Sequence, residues 1–406
     1  MFECIFTSGE ARIMLISFLK TNNTPSRPKV LIVADSPNWA FAQIQKGIID
    51  SLKNHYDFYW DYTFCHHYLT IDFKENYLHD VFYRFKHNTK AFLFPSKVKR
   101  CVWKRATRTP FWKRKFKYEN QEYSRRVLPP WKQYDAVVLL DYYFDRVSRI
   151  KFKTKVLGKG IFTSTFPPHG MQIDYLAHNS DPFNPIPTKH DFFLKYLQNA
   201  DAIILGAPEL EKYYGGFGVP TFFASGIIEE YSKLRKSRHS KIKKPLKIGW
   251  MGNPNRDEKH YWDIVYPVVQ EFVAAGSVHF NPRFSGPRET LPDYIEGIDI
   301  FISASESDVG PFMFVDGALY GVPCISTKHG HAALVIEHGV NGWFIECTQS
   351  SLRHVLKDIL DNLPLVFSAQ SRVRNDFLKQ FNKESSTQEW NQIFQYLIQK
   401  GSVEKN

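Results

Sequence analysis

The chain has 406 residues, 43% hydrophobic and 23% charged, with 22 Gly and 23 Pro, which excludes low-complexity disorder and is long enough for two cores. Its longest apolar runs, such as Ile13–Leu19 and Ala136–Leu140, fall far short of the roughly 20 residues of a spanning helix, so no transmembrane segment is expected. Residues 246–406 carry 14 Lys/Arg against 19 Asp/Glu and residues 1–245 the other 39 against 22, so the net +12 divides into −5 and +17 and the first half should meet something anionic: nucleic acid, an acidic membrane surface or a phosphate-bearing substrate.

The leader has no small-residue cleavage site after its apolar patch, so no secretory signal is expected. Lys29–Ala34 is a short apolar run of the kind a buried parallel strand needs, and Asp35-Ser36-Pro37-Asn38 stops it with turn chemistry. Trp39 to Leu52 then reads as a helix, with Phe41, Ile44, Ile48, Ile49 and Leu52 on one face. Further strands are expected at Ala136–Leu140, Gly160–Thr163, Ala202–Leu205 and Thr221–Ala224, with helical stretches at Asp191–Asn199 and Glu209–Tyr214. Between the first helix and these strands, residues 97–117 hold ten Lys/Arg and no acid, interleaved with Trp103, Phe111, Trp112 and Phe116. Cations with interfacial aromatics suit an anionic lipid surface, suit single-stranded nucleic acid on composition alone, and also fit a solvated loop that turns a few rings inward.

After a basic linker, Lys233 to Lys244, a second series starts with the strand Leu246–Gly252 and a helix over Tyr261–Ala275. Strands at Ile298–Ile302, Cys324–Ser326 and Gly342–Phe344 follow, with helices at Phe312–Tyr320 and Leu352–Leu360. Alternation of this kind predicts two doubly wound α/β halves joined near residue 240, with ligands at the carboxyl ends of the strands and in the cleft between the halves. Five scattered cysteines (Cys4, Cys65, Cys101, Cys324, Cys347) show no metal or disulfide spacing, so reduced thiols and a cytoplasmic address are expected.

The chemistry concentrates in Ile300 to Phe344. A buried strand delivers the loop Ser305–Pro311, which opens a helix whose free N–H groups could seat a phosphate. Asp308 lies in that loop and Asp316 about one turn into the helix, an arrangement able to hold two hydroxyl groups flanking a diphosphate. Each has a plainer reading, Asp308 as a helix cap and Asp316 as an exposed helical acid.

Ser305-x-x-Asp308 followed by Asp316-Gly317-Ala318-x-x-Gly321-Val322-Pro323 resembles the donor signature of retaining glycosyltransferases of the GT-B fold, family 4 type. The register continues through Thr327-x-x-Gly330 and Glu337-x-Gly339-x-Asn341-Gly342. Gly226–Glu229 resembles the end of the first domain, and the final helix with Trp390 resembles the one that crosses back to the N-terminal half. The resemblance covers residues 220–400 closely and the rest only in architecture. The chain departs from the family where both glutamates are Asp, each shorter by about 1.5 Å, where the second glycine of a Gly-Gly pair is His331, and where a glutamate is Leu334.

The resemblance implies two Rossmann-like domains facing a cleft: 1–240 on the acceptor side with the basic insert 97–117, 241–382 for the nucleotide sugar, and 383–406 as the returning helix. It implies transfer of a sugar from a nucleotide-diphosphate sugar to a hydroxyl acceptor, retaining and without a metal or other cofactor, in surface polysaccharide or glycolipid synthesis. Asp316 would bind the ribose, Asp308 the donor sugar, and Gly310, Pro311 and Phe312 would approach the diphosphate. Lys259 and Arg256 would neutralise the leaving group beside Asn253, although both could simply pair with Asp257 and Glu258 in a solvated loop. His169, in Phe166-Pro167-Pro168-His169-Gly170, would lie near the acceptor and donor sugar. A glycan or lipid-linked acceptor, with the inner membrane face met through 97–117, follows from the same resemblance and sets nucleic acid aside. The rivals are a sugar-nucleotide epimerase or hydrolase and a non-catalytic glycan-assembly subunit.

Overall fold

A computed structural model describes residues 26–35, 37, 40–63, 115–118, 121–128, 132–142, 153–162, 188–226, 242–286, 290–306, 308–310 and 312–403. Two parallel sheets dominate it. The first has six strands in the order β2-β1-β5-β6-β7-β8: β1 (Lys29–Ala34), β2 (Asp57–Tyr62), β5 (Ala136–Leu139), β6 (Leu157–Ile161), β7 (Ala202–Leu205) and β8 (Thr221–Phe223). A separate hairpin, β3 (Lys115–Tyr118) and β4 (Gln121–Ser124), pairs antiparallel. It connects to the sheet edge through Arg126, whose backbone bridges Trp60, and through the Trp60 indole, which donates to the Ser124 carbonyl at 2.9 Å.

The second sheet has the order β10-β9-β11-β12-β13: β9 (Leu246–Met251), β10 (Val278–Arg283), β11 (Ile300–Ser303), β12 (Cys324–Ser326) and β13 (Trp343–Phe344). Its inner strands β11 and β12 are short runs covered on both faces, every residue of them buried. In each sheet the chain first steps outward, from β1 to β2 or from β9 to β10. It then crosses back to the other side of the opening strand, so order reverses beside β1 and again beside β9. Crevices at such reversals, outside the strand carboxyl ends, are where α/β sheets take ligands.

Helix α1 (Ala40–Leu52) follows β1 and buries Ile44, Ile48 and Leu52, the face expected from its spacing. The stretches expected at 191–199 and 209–214 are helical but broken: α2 (Lys189–Phe192) runs into a further turn through Leu197, and α3 (Glu211–Tyr214) follows a tight turn at Pro208–Leu210. In the second half, α4 (Tyr266–Ala274), α5 (Leu291–Glu296), α6 (Phe312–Leu319), α7 (Gly330–Val335), α8 (Gln349–Asp361) and α9 (Pro364–Gln380) surround the sheet.

The last helix, α10 (Lys383–Val403), packs on the first sheet rather than the second. Its Trp390, Ile393, Phe394 and Leu397 are buried in the core built on β1 and β5. Phe394 meets Tyr56 and Phe58 edge-on at 5.2 and 5.7 Å, and the Trp390 indole donates to the Ser225 carbonyl. Gly158 on β6 accommodates that packing, since a Cβ there would lie 3.2 Å from Leu397. Among the described residues no helix is long and apolar enough to cross a membrane.

Candidate active site

The reversal beside β9 is bordered by two loops, 252–260 after β9 and 304–311 after β11. Gly252, with φ at +151°, turns the chain out of β9 into the first of them. Asn253 is exposed and closes a local turn, its side-chain oxygen accepting from the Asn255 amide at 3.0 Å. His260 ends the loop in the left-handed region, φ +48°, the one non-glycine residue there among those described. Its ring meets the Asp263 carboxylate at 2.7 Å and stands 3.7 Å from that of Glu306.

The two loops are joined directly. The Glu306 amide donates to the Glu258 carbonyl at 3.0 Å, and the Lys259 ammonium forms an ion pair with the Asp308 carboxylate. Both side chains of that pair are mostly covered, at 19% and 13% exposure. The structure thus brings Lys259 and Asp308, 49 residues apart, together across the reversal point. Arg256 follows the plainer reading instead and pairs with Glu258 in its own loop.

Asp316 is the fifth residue of α6 and only 3% exposed, so it is not an exposed helical acid. The helix lies tight on the sheet: a Cβ at Gly317 would come within 2.8 Å of the Phe301 ring, and the Met251 amide meets the Met313 sulfur at 3.1 Å. Gly310 is pressed against the His331 imidazole, where a Cβ would lie 2.7 Å from the ring. Pro311 and His169 lie outside the described residues, as do Asn38, Ile227–Glu229 and residues 97–114; of Phe312 only its place at the start of α6 is described.

Several participants from the first half were not expected. Val309, 2% exposed, packs among Ile161, Leu205, Ala207 and Leu210 of the first half. His331, 7% exposed, donates through Nε2–H to the Gly206 carbonyl just after β7 at 3.0 Å. The Gly330 amide donates to the Glu209 carboxylate at 2.9 Å. Burial holds the His331 imidazole below its ordinary value, against the pull of the Gly206 carbonyl and the charges of Asp308 and Glu209. The available sequence signal was position: Gly206 directly follows a buried strand run, at the end of the strand where ligands collect. Among the described residues no group of three or more His, Cys, Asp or Glu is placed to hold a metal ion.

Residues 275–374 match the family described as glycosyl transferases group 1. The amylovoran biosynthesis glycosyltransferase AmsK of Erwinia amylovora is 26% identical over 102 residues, which are 22% of this chain and only 25% of that relative's length. Among solved structures, TarM of S. aureus aligns with a TM-score of 0.58 at 9% identity, covering 92% of this chain and 99% of that one. Sucrose-phosphate synthase from Thermosynechococcus elongatus aligns at 0.53 and 12% identity, covering 91% and 99%. HepE of Anabaena, solved with UDP and glucose, aligns at 0.50 and 13% identity, covering 91% and 100%. The fold is GT-B, and the second half carries the group 1 glycosyltransferase match.

Proposed function

We propose that the protein transfers a sugar from a nucleotide-diphosphate sugar to a hydroxyl group of a glycan or lipid-linked acceptor, with retention and without a metal, in surface polysaccharide or glycolipid synthesis. The observation that carries this reading is the Lys259–Asp308 ion pair at the strand reversal, with Asp316 one turn deeper in α6. Residues 241–382 take the donor, residues 1–240 take the acceptor, and 383–406 tie the two. The UDP bound to HepE and the polysaccharide role in AmsK's name support the donor class and the pathway class.

In this reading, donor binding exchanges partners. The diphosphate takes the Lys259 ammonium, and the released Asp308 carboxylate accepts from a hydroxyl of the donor sugar. Arg256, Asn253, Gly310, Pro311 and Phe312 approach the diphosphate, Asp316 holds the ribose, and His169 stands near the sugar. As the sugar–phosphate bond breaks, negative charge grows on the leaving oxygen beside Lys259. A preorganised cation in a covered site stabilises that charge without reorganising solvent. The leaving phosphate takes the proton of the acceptor hydroxyl, so no enzymatic nucleophile is needed. Residues 97–117 hold the protein at the anionic inner face of the membrane, where the acceptor lies.

The test is a thermal-shift screen of the purified chain against UDP, GDP, ADP and CMP and their sugars, with and without magnesium. A ligand bound only by the folded state raises the Tm. The expected result is a clear shift with one base and its sugars, independent of magnesium, followed by acceptor-dependent turnover. No shift with any nucleotide would reject the donor site, and turnover indifferent to acceptor would point to hydrolysis instead.

A further inference from the structure

The family resemblance places a glycine where this chain has His331, and that imidazole sits between the donor loop and the first half. On one side it presses on Gly310, whose Cβ would be 2.7 Å from Nδ1. On the other, Nε2–H donates to the Gly206 carbonyl across 125 residues of sequence. Because a carbonyl can only accept, Nε2 must carry the proton, which leaves Nδ1 as an acceptor; it is buried and has no partner among the described residues. A leucine would fill similar space without stranding a buried acceptor, which costs stability. Packing alone therefore does not account for an imidazole at this position.

The neighbours of His331 act in the same direction. Its own amide donates to the Val309 carbonyl at 2.9 Å, and Val309 inserts into the first-half core, its side chain 2.7 Å from where a Cβ on Gly206 would be. Gly330, at φ +52°, lets the chain pass under the loop; a Cβ there would lie 2.0 Å from the Val309 carbonyl oxygen. Among the described residues the Asp308 loop and the turn beneath it are thus tied to the first half through the His331 imidazole, the Val309 side chain and the Gly330 amide, which donates to Glu209, while Lys259 and Asp316 lie on second-half elements.

We propose that His331 is a positioning residue for sugar transfer: its bond to Gly206 fixes the donor loop against the acceptor-side half, so that Asp308 and the acceptor are in register only when this bond is made. This rests on the glycosyltransferase reading above. Transfer needs both halves aligned, whereas binding of the nucleotide needs only the second. Loss of the bond should therefore lower kcat and leave nucleotide affinity intact.

The test compares His331→Leu, which fills the site without a donor, with His331→Gln, whose amide N–H can reach the same carbonyl. The probes are UDP and UDP-glucose, or whichever base and sugar replace them in the thermal-shift screen, together with amide hydrogen exchange of the full chain. In His331→Leu, kcat should fall about tenfold, equivalent to about 1.4 kcal/mol, with the nucleotide Kd unchanged within about twofold. Exchange at residues 206–210 and 308–310 should rise about tenfold while β1 and β9 keep their protection. His331→Gln should restore both. The proposal is overturned if exchange at the two loops does not change, if affinity falls as far as kcat, or if Gln behaves like Leu. Failure of the underlying reading looks different: the wild type itself then turns over no nucleotide sugar, and the positioning role falls with it.

Discussion

Removing the Lys259 ammonium separates chemistry from stability. In the free protein that ammonium is paired with Asp308, and the pair is partly exposed. Exposed pairs contribute about 0.2–1 kcal/mol and breaking a fully buried one costs about 3–5 kcal/mol, so for this mostly covered pair Lys259→Ala should cost about 1–3 kcal/mol, read as a fall in Tm. In the proposed transfer the same cation faces a leaving diphosphate. Two unit charges about 4 Å apart at an effective dielectric near 20 interact by about 4 kcal/mol, and deleting one preorganised donor costs about 10²–10³ in kcat. The assay is steady-state turnover of the nucleotide sugar selected by thermal shift, run for Lys259→Ala, Asp308→Asn and the double variant. Because the two groups meet, their effects should be strongly non-additive. Turnover of Lys259→Ala within about fivefold of wild type, or clean additivity in the cycle, would refute the assignment.

Asp316→Asn should weaken nucleotide binding by about 1.5–3 kcal/mol, the cost of a lost hydrogen bond to a charged group, measured by calorimetric titration; unchanged affinity removes the proposed ribose role. Gly330→Ala should destabilise the fold more than Gly339→Ala. Both positions have left-handed φ, but only at Gly330 would the new methyl meet a backbone carbonyl, at 2.0 Å; equal Tm losses would contradict this packing. Phe394→Ala should cost about 3–5 kcal/mol in urea unfolding through the cavity it opens under α10, and a cost below about 1 kcal/mol would mean that the helix does not hold the first sheet. For His331, burial holds the folded imidazole below its ordinary value, against the opposing pull of the Gly206 carbonyl and the Asp308 and Glu209 charges. As pH falls through about 6.5 the unfolded chain takes up a proton that the folded chain resists, so wild-type stability should fall relative to His331→Leu between pH 7 and 5. A pH-independent difference between the two would rule out a buried neutral histidine.

Much of this architecture was legible in local pattern. β1 and β12 match their expected bounds because a fully buried parallel strand is a bare apolar run ended by turn residues. The strands missed are one edge of each sheet, β2 (DFYWDY) and β10 (VHFNPR), and the two strands of the hairpin, β3 and β4. An edge strand is covered on fewer sides, so it keeps polar residues, and β10 even tolerates Pro282. The helix α9 was missed for a related reason: its buried apolar residues form one narrow stripe, Val366, Ala369, Val373 and Phe377, in seventeen mostly polar residues.

The sequence alone determined the two α/β halves and the segment that carries Asp308 and Asp316, because strand, loop and helix there are contiguous and the two aspartates stand eight residues apart. It could not determine which partner each charge takes. Arg256 and Lys259 stand three residues apart in one loop with acids beside both, yet one turns to Glu258 and the other reaches Asp308. Only the tertiary structure decided that, by putting β9 next to β11 at the strand reversal. It also decided the contact between the halves. Gly206 and Glu209 of the first half share no motif with Val309 and His331 of the second, a hundred residues or more away, and they meet because the carboxyl ends of two independently wound sheets are brought face to face.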